Sequence, residues 1–472
     1  MRYFLLTIGL TLAVAGSASG TTYVVKPDGT GDFPTIQAAI DAVQDGDIIE
    51  LTDGTFTGDG NRDIDYLGKA LTVRSQSGNP TTSIIDCEGA GSISRRGFYF
   101  HSGEGPQAVL EALTVTNGYA TGDWPIGGGA AMLCDSLSSP TVTNCIFSAH
   151  LGNWGGAVLT RDSAPAFTDC TFVGNEASLM GAGLYCSAFP SPTLLDCTFR
   201  ENSAFWGAGM VASLESSPTL VGCAFIRNSV HDNGAGIYMR SSSTPLLTNC
   251  TFYGNVAAGY ASAVLCDPGA TATLENNILA FGDGSALVCY SRGITLRCCD
   301  IYGNVGGNWE EECIADQLGV DGNICEDPLF CDPQNGDFTL HEDSPCAPFS
   351  EPNPECDLIG ALPVGCAPMA VPNTLPGQVT LLLGPSTPNP FTQLTRVSYS
   401  VPSADNAPVR LAVLDVAGRV VRVLADGHLA HGLHSVFWDG ADDAGTQVAG
   451  GLYFYRLSVG GEMVSKRVLL IR

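Results

Sequence analysis

Three aromatic residues stand at equivalent places in the middle of the sequence, where they could contact a sugar. Trp154, Trp206 and Tyr260 each come directly before a short cluster of small residues, mostly Gly and Ala. If their side chains point outward, they form a ladder of rings onto which sugar rings stack by their apolar faces. If the side chains point inward, they form one more stack of core residues. The sequence leaves both interpretations open, and these three residues are the candidate glycan contacts.

Two carboxylates are also placed where they could act together. Asp169 and Asp196 each come directly before a cysteine in neighbouring segments of similar sequence. If those segments stack as neighbouring strands, the carboxylates lie about 5 Å apart, close enough to bind Ca²⁺ or to act as an acid–base pair. The same position holds Asn144, Gly222 and Asn249 elsewhere, so a tight turn already explains the aspartates. Ca²⁺ is therefore a weak expectation, no other cofactor is expected, and no catalytic residue is assigned.

The 18 cysteines fall into two groups. One group recurs at a fixed position in the similar segments, and we expect buried, reduced thiols there that act as small core residues: Cys145, Cys170, Cys197, Cys223 and Cys250. The other group crowds an irregular, proline-containing stretch in which no repeat supplies a core. These are the disulfide candidates, and their pairing stays open: Cys313, Cys325, Cys331, Cys346, Cys356 and Cys366.

The candidate residues belong to segments that recur about every 26 residues, a period typical of stacked structural repeats. Each segment has one apolar residue three positions before the cysteine position and another two positions after it. The two columns are Val142, Phe167, Leu194, Leu220, Leu247, Leu274 and Leu296, and Phe147, Phe172, Phe199, Phe225, Phe252, Leu279 and Ile301. Their alternation with polar or small residues predicts short strands whose apolar side chains form inward stacks.

Two further columns predict the turns between the strands, because their residues tolerate positive φ. One lies directly before the cysteine position and contains Asn144, Asp169, Asp196, Gly222, Asn249 and Asn276. The other lies five residues after it and contains Asn175, Asn202, Asn228 and Asn255. Short strands that meet at such turns, with about 26 residues in each circuit, describe a single-stranded, right-handed parallel β-helix.

We predict this β-helix for residues 21–366. Residues 21–60 form its N-terminal cap, which includes an amphipathic helix over residues 34–43 with Pro34 at the first helical position. Such a helix covers the strand edges and apolar stacks that an open end exposes. Residues 311–366 form the cysteine-rich C-terminal end.

The two ends of the chain differ in composition from the repeats. Residues 1–20 combine Arg2, an apolar run and small residues, which predicts a secretory signal peptide. No other apolar run is long enough for a transmembrane helix. Residues 367–380 are predicted to be a linker because of their prolines, and residues 381–472 have the alternation and turn spacing of a small Ig-like β-sandwich. The mature protein is therefore predicted to be all-β, with two domains.

Charge is distributed unevenly along the chain. The net charge is −27, but basic and acidic residues nearly balance from Leu381 onward, so almost all of the negative charge belongs to the predicted β-helix. A strongly acidic surface repels nucleic acid and anionic lipid. We therefore expect no nucleic-acid partner.

Several stretches resemble known families. Gly-Asp-Phe-Pro-Thr-Ile-Gln at residues 31–37 resembles the capping segment of pectin lyase-like β-helix proteins, including pectinesterases. The repeats pair Phe-x-x-Asn with Gly-Ala-Gly and are similar to those of polymorphic outer-membrane proteins, while residues 113–118 and 327–330 are similar to segments of bacterial right-handed β-helix proteins. The tail, with Asn-Pro-Phe at 389–391 and Trp-Asp-Gly at 438–440, resembles the Ig-like domain of flagellar hook-capping proteins and the C-terminal sorting domains of type IX secretion cargo.

These resemblances imply fold and export route more strongly than activity. The motifs that pectinesterases and polygalacturonases of this fold use for catalysis are absent. A lyase needs a base such as Lys or Arg, and the only lysines, Lys26, Lys69 and Lys466, lie outside the repeats. We therefore expect a non-catalytic, adhesin-like protein that binds a polysaccharide or cell-surface glycan.

The resemblance of the tail implies export through outer-membrane secretion machinery of type IX. The expected location is the extracellular space or the outer surface of a Gram-negative-type bacterium, with residues 381–472 as a sorting or anchoring domain or a plain spacer. Two alternatives stay open for the function. One is a polysaccharide lyase or glycoside hydrolase acting on an acidic polysaccharide, and the other is a structural envelope protein.

Overall fold

The computed structural model describes residues 20–89, 93–189, 191–290, 293–366, 382–387, 391, 395–401, 408–415, 418–428, 432–460 and 462–472. The chain divides into two compact units, Met1–Pro368 and Met369–Arg472. The predicted signal peptide, apart from Gly20, and the predicted linker at residues 367–380 lie outside the described residues. No helix in the described ranges is both long and apolar enough to cross a membrane.

The first unit is a right-handed parallel β-helix whose coils pass through four parallel sheets, named I to IV in the order the chain visits them. Sheet I consists of Thr22–Val25, Ile48–Leu51, Thr72–Ser75, Val109–Glu111, Thr141–Thr143, Ala166–Thr168, Thr193–Leu195, Thr219–Val221, Leu246–Thr248, Ala272–Glu275 and Ile294–Arg297. Sheet II consists of Gly54–Phe56, Ser83–Asp86, Thr114–Thr116, Ile146–Ser148, Thr171–Val173, Thr198–Arg200, Ala224–Ile226, Thr251–Tyr253, Ile278–Ala280 and Asp300–Tyr302.

The other two sheets complete each circuit. Sheet III is the shortest and consists of Tyr119–Ala120, Leu151–Trp154, Glu176–Met180, Ser203–Trp206, Ser229–Val230 and Val256–Ala257. Sheet IV consists of Ile64–Asp65, Phe98–Phe100, Met132–Cys134, Val158–Arg161, Leu184–Ser187, Met210–Ser213, Ile237–Met239, Ala261–Cys266 and Ser285–Cys289.

The predicted inward columns form the core of the β-helix. Residues two positions after the cysteines pair strand to strand, so that Phe172, Phe199, Phe225 and Phe252 stand one above another. Their rings stack almost parallel, with centroids 4.4 to 4.8 Å apart. The five repeat cysteines are free and buried between these columns. The register therefore stacks residues of the same type from successive coils on one another. Each coil buries its apolar face only against its neighbours.

The turn between sheets I and II has the predicted conformation. Positive φ occurs along the whole column directly before the cysteine position: Asn144, Asp169, Asp196, Gly222, Asn249 and Asn276, with φ from 51° to 66°. These residue types adopt left-handed φ at the lowest cost.

The second predicted turn column is corrected by one residue. Positive φ falls on the residue before each asparagine, at Gly174, Glu201, Arg227 and Gly254. The asparagines themselves, Asn175, Asn202, Asn228 and Asn255, are buried and form a ladder of side-chain hydrogen bonds. We expected asparagine for its tolerance of positive φ, but its amide is selected here because it pairs buried polar groups at the bend.

The N-terminal cap contains the expected helix in shorter form, Ile36–Ala42. Thr35 is the N-cap and accepts a hydrogen bond from the Ala38 N–H, so Pro34 precedes the helix rather than occupying its first position. Ile36, Ala39 and Ile40 are buried. At the other end the Lys69 ammonium donates to the carbonyls of Ile40, Asp41 and Val43, which satisfies carbonyls that the helix leaves free.

The C-terminal end of the β-helix contains a 3₁₀ turn, Ala315–Gln317, and a small sheet of Phe330–Asp332, Asp337–His341 and Val364–Cys366. Its disulfides are Cys289–Cys313, Cys298–Cys356 and Cys331–Cys366. Four of the six candidates are thus paired, two of them with cysteines of the last coils that we had not considered.

Two disulfide candidates, Cys325 and Cys346, are free thiols, so the expectation for them is wrong. The buried Cys346 thiol donates to the buried Asp300 carboxyl over 3.2 Å, and burial raises the pKa of Asp300 to about 7. A hydrogen bond to a buried carboxyl, rather than a second sulfur, satisfies this thiol. Which sulfurs meet depends on how the C-terminal loops return to the last coils, and spacing along the chain does not encode that path.

The second unit consists of two antiparallel sheets. One contains Leu382–Thr387, Thr395–Val401 and Gly432–Trp438, and the other contains Val420–His428, Pro408–Asp415, Gly451–Val459 and Glu462–Leu470. Trp438 and Val397 from the first sheet share one buried core with Leu411 and Tyr455 from the second. The unit is the small Ig-like sandwich that the strand pattern predicts.

Candidate functional site

Side chains alternate across sheet IV, and its outward positions build a second apolar layer outside the main core. Met132 and Cys134 point into the β-helix, so Leu133 between them points out. The outward column contains Tyr99, Leu133, Leu159, Tyr185, Val211, Tyr238, Leu265 and Val288. Most of these residues are nevertheless buried, because side chains from the end of sheet III cover them. The outward column and the side chains that cover it thus form a packed outer layer on this side of the β-helix, which we call the supported surface.

The covering residues include two of the three candidate glycan contacts. Trp154 pairs in register with Met180, and Met180 pairs with Trp206. All three side chains are half-buried and pack on the outward column of sheet IV. The Trp206 indole N–H also donates to Asp232 Oδ2 over 2.7 Å. Trp154 and Trp206 therefore lie outside the main core, but each presents only part of its ring to solvent.

Tyr260, the third candidate, is more open. It follows Trp206 by two coils on the same side of the β-helix, where its backbone N–H donates to the Asn233 side chain. Its relative exposure is 68%. An aromatic ring so exposed on a packed scaffold is available for stacking against a ligand.

Two aromatic residues that the sequence pattern missed extend this surface. Trp124 lies on an irregular loop outside the repeat, 37% exposed, and its ring meets the rings of Trp154 and Tyr185 at 5.4 and 5.5 Å. Phe205 is 40% exposed and its ring lies 4.4 Å from Trp206. We call the set Trp124, Trp154, Phe205, Trp206 and Tyr260 the aromatic strip. Phe205 could have been identified from the sequence, because it stands next to Trp206 in the repeat. Trp124 has no counterpart in other coils, so no sequence pattern points to it.

A polar column lies beside the aromatic strip, two positions further along each strand of sheet IV. It contains Asp135, Arg161, Ser187, Ser213, Arg240 and Asp267. Arg161 pairs with Asp135, with nitrogen–oxygen distances of 3.0 and 2.5 Å. The Tyr238 hydroxyl donates to Asp267 over 2.6 Å. The ion pair neutralises Asp135 and Arg161, and the Tyr238 hydroxyl gives the Asp267 carboxylate a hydrogen-bond partner.

Arg240 is the exception in this column. Its Nη1 lies 3.1 Å from the Met180 sulfur, its guanidinium lies over the Tyr238 ring, and its buried Nε has no hydrogen-bond partner. Burial raises the pKa of the neighbouring Tyr185, while a hydrogen bond with Ser213 and the charge of Arg240 oppose that shift. Arg161 and Arg240 each follow a glycine cluster by the same number of residues, and this shared spacing was the signal that could have identified them.

The two candidate carboxylates lie in neighbouring turns at the junction of sheets I and II, away from the polar column. Burial, and then the charge of Asp169, raises the pKa of Asp196 to about 6, and burial raises the pKa of Asp169. Two carboxylates supply few of the six to eight oxygen ligands that Ca²⁺ takes. Within the described ranges no group of three or more His, Cys, Asp or Glu side chains is arranged to hold a metal ion. The pair therefore does not fit a Ca²⁺ site.

Comparison with known proteins matches both units. The family model described as right handed beta helix region matches residues 70–229 and 221–312, together about half of the chain. The FlgD Ig-like domain matches residues 388–462. No curated protein matches the chain.

One solved structure similar to this chain is a mutant of a PL6-family alginate lyase, with 12% sequence identity and a TM-score of 0.27. The alignment covers 76% of this chain and 60% of that chain.

Proposed function

We propose, from the premise that the chain belongs to the right-handed β-helix family, that this protein binds a glycan through the aromatic strip. One observation carries the proposal: aromatic side chains from successive coils share one side of the β-helix, and Tyr260, Phe205 and Trp124 among them are 68%, 40% and 37% exposed. Rings on a packed support lose little conformational freedom when a ligand stacks on them. The repeat gives the strip a direction along which a chain of sugars can lie.

The proposed protein acts outside the cell and has no catalytic activity. Three disulfides within the described residues suit an oxidising compartment, and the sequence of residues 1–20 has the features of a signal peptide. The match to an Ig-like domain at residues 388–462 is compatible with a sorting or anchoring role in type IX export. Absence of catalysis rests on the missing sequence motifs.

Glycan binding is tested with Tyr260→Ala and Phe205→Ala in the full-length protein. Binding to an array of plant, algal and bacterial polysaccharides is measured first, and affinity for the best ligand is then compared among variants. Each substitution should weaken binding about tenfold, since stacking on an aromatic ring typically contributes on this scale. Phe437→Ala, which removes a ring 57% exposed in the Ig-like unit, is the matched control and should bind as the wild type does. A wild-type protein that retains no glycan contradicts the proposal and leaves a structural envelope role.

The enzymatic alternative is tested on the same samples. Incubation with pectin, alginate and glycosaminoglycans, with and without Ca²⁺, should produce neither unsaturated nor new reducing ends. Sustained turnover that Tyr260→Ala abolishes would show that the strip serves a polysaccharide lyase or hydrolase instead.

A further inference from the structure

Among the described arginines of the β-helix, Arg240 shares the lack of a carboxylate partner with Arg95, Arg96 and Arg227, but those three side chains donate to backbone carbonyls and that of Arg240 does not. Four arginines lie within 3.4 Å of an Asp or Glu oxygen, as expected for a strongly acidic unit: Arg62, Arg74, Arg161 and Arg297. Among the described residues, no Asp or Glu forms an ion pair with Arg240. The nearest carboxylate in sequence register, Asp267, instead accepts the Tyr238 hydroxyl. The guanidinium is turned the other way, toward Met180 two coils earlier.

This orientation places the cation against the middle of the aromatic strip. Met180 is the register partner of both Trp154 and Trp206, and the Arg240 guanidinium contacts the Met180 sulfur. The side chain of Arg240 passes over Tyr238 and acts electrostatically on Tyr185. The charge is therefore held by packing on the same supported surface that carries the exposed rings.

Two polar atoms near this position are buried without a partner. Arg240 Nε and Ser187 Oγ both lack hydrogen bonds, and Ser187 lies on the polar column two coils before Arg240. Both atoms are closed to solvent, so a ligand reaches the Arg240 guanidinium through its terminal nitrogens, one of which contacts only the Met180 sulfur. An oxyanion is the matching ligand, because the two terminal nitrogens of a guanidinium donate to two oxygens in a planar, two-pronged arrangement.

We propose that Arg240 binds an oxyanion substituent of the sugar chain, the carboxylate of a uronic acid or a sulfate ester, while the neighbouring rings stack on the sugars. This proposal rests on the function proposed above and adds the substrate class. An unpaired guanidinium at the contact attracts an acidic glycan at short range, while salt screens the repulsion from the more distant carboxylates of the unit.

The test compares the full-length wild type with Arg240→Gln, which removes the charge, and Arg240→Lys, which keeps the charge but loses the planar fork. Arg200→Gln is the matched control: it removes a cation from sheet II, where Arg200 lies 3.6 Å from Glu201. The ligands are an oligogalacturonate, a sulfated glucan oligomer and a neutral glucan oligomer of equal length. Affinity is measured by calorimetry at low and raised salt, and thermal unfolding confirms that each variant is folded.

Both Arg240 variants should lose about tenfold or more in affinity for the acidic ligand, and added salt should weaken wild-type binding. Arg200→Gln should leave that affinity unchanged. Preference for the uronate or for the sulfated oligomer identifies which oxyanion is bound. Wild-type preference for the neutral oligomer, with no effect of Arg240→Gln, overturns the substrate class while glycan binding stands. If the wild type binds none of the three oligomers and no glycan on the array, both proposals are wrong.

Discussion

At the scale of single residues, His150 shows how one side chain substitutes for another within a repeated pattern. His150 occupies the coil position that asparagine holds in the next four coils, at the N-terminal end of the ladder. Its Nδ1 accepts from the Gly118 N–H at 2.9 Å, and its Nε2 donates to the Val115 carbonyl at 2.9 Å. These are the acceptor and donor roles of an asparagine amide. Both nitrogens are therefore satisfied only in the neutral imidazole.

This arrangement predicts acid sensitivity that depends on His150. Burial lowers the pKa of His150 from 6.5 to about 4, so its stabilisation is present above pH 6.5 and is lost as pH falls toward 4, by roughly 3 kcal/mol when complete. His150→Asn should preserve the ladder and remove this part of the decline. Thermal unfolding of both proteins across this pH range checks the prediction. The exposed His231→Asn is the control and should follow the wild type; if His150→Asn also does, burial of His150 is not the cause.

At the scale of elements, the asparagine ladder ties successive coils together at the bend between sheets II and III. Asn202 accepts from the backbone N–H and the side-chain amide of Asn175, at 3.1 and 2.9 Å. It donates to the Phe172 carbonyl at 3.0 Å and to the Asn228 side chain at 2.9 Å. Each rung depends on its neighbours, so loss of one side chain removes hydrogen bonds from buried groups on the coils before and after it.

Asn202→Ala should therefore destabilise the β-helix by about 3 kcal/mol, because it leaves buried donors and acceptors unpaired. Denaturant-induced unfolding followed by circular dichroism measures the change. Asn335→Ala, at an exposed turn of the C-terminal end, is the comparison and should cost little. A loss below about 0.5 kcal/mol for Asn202→Ala would mean that water replaces the rung without penalty.

The cysteine column is a second element with a testable state. Twelve cysteines are free, and all except Cys325 are buried. Burial raises the pKa of Cys145, Cys186 and Cys299 to about 12 each, so these thiols are protonated and unreactive in the folded protein.

Alkylation of the native protein should therefore label Cys325 alone. After denaturation without reductant, mass spectrometry should find all twelve free cysteines labelled, and reduction should release the six in disulfides. Parallel stacking sets neighbouring thiols side by side, a geometry that rarely meets the dihedral requirement of a disulfide. A denatured, unreduced protein with an unlabelled column would show that the coils are cross-linked.

At the scale of the whole molecule, the two units have separate cores and separate charge. The main core of the β-helix and its three disulfides lie within residues 25–366. The core of the Ig-like unit lies within residues 383–470. Since the negative charge belongs almost entirely to the β-helix, each unit also has its own electrostatic character. We expect binding and export to be separable functions of the two units.

Deletion of residues 381–472 tests this separation. The truncated protein should unfold at the same temperature as the β-helix within the intact chain, since it keeps its core and disulfides. If the Ig-like unit is the sorting domain, the truncated protein should accumulate in the periplasm, and fractionation with surface protease digestion shows where it resides. If the truncated protein reaches the cell surface normally, the Ig-like unit is a spacer and not a sorting domain.

The sequence by itself determined what depends on local spacing. A recurring position in each coil predicts an inward side chain or a left-handed turn, because every coil repeats the same backbone path, and Phe172, Cys170 and Asp169 lie as predicted. Only the tertiary structure decided contacts that leave this repeat. Trp124 reaches Trp154 from an irregular loop, Arg240 turns back across two coils to Met180, and Cys313 pairs with Cys289 of an earlier coil. These contacts depend on loop paths and side-chain directions between coils, which no periodicity along the chain specifies.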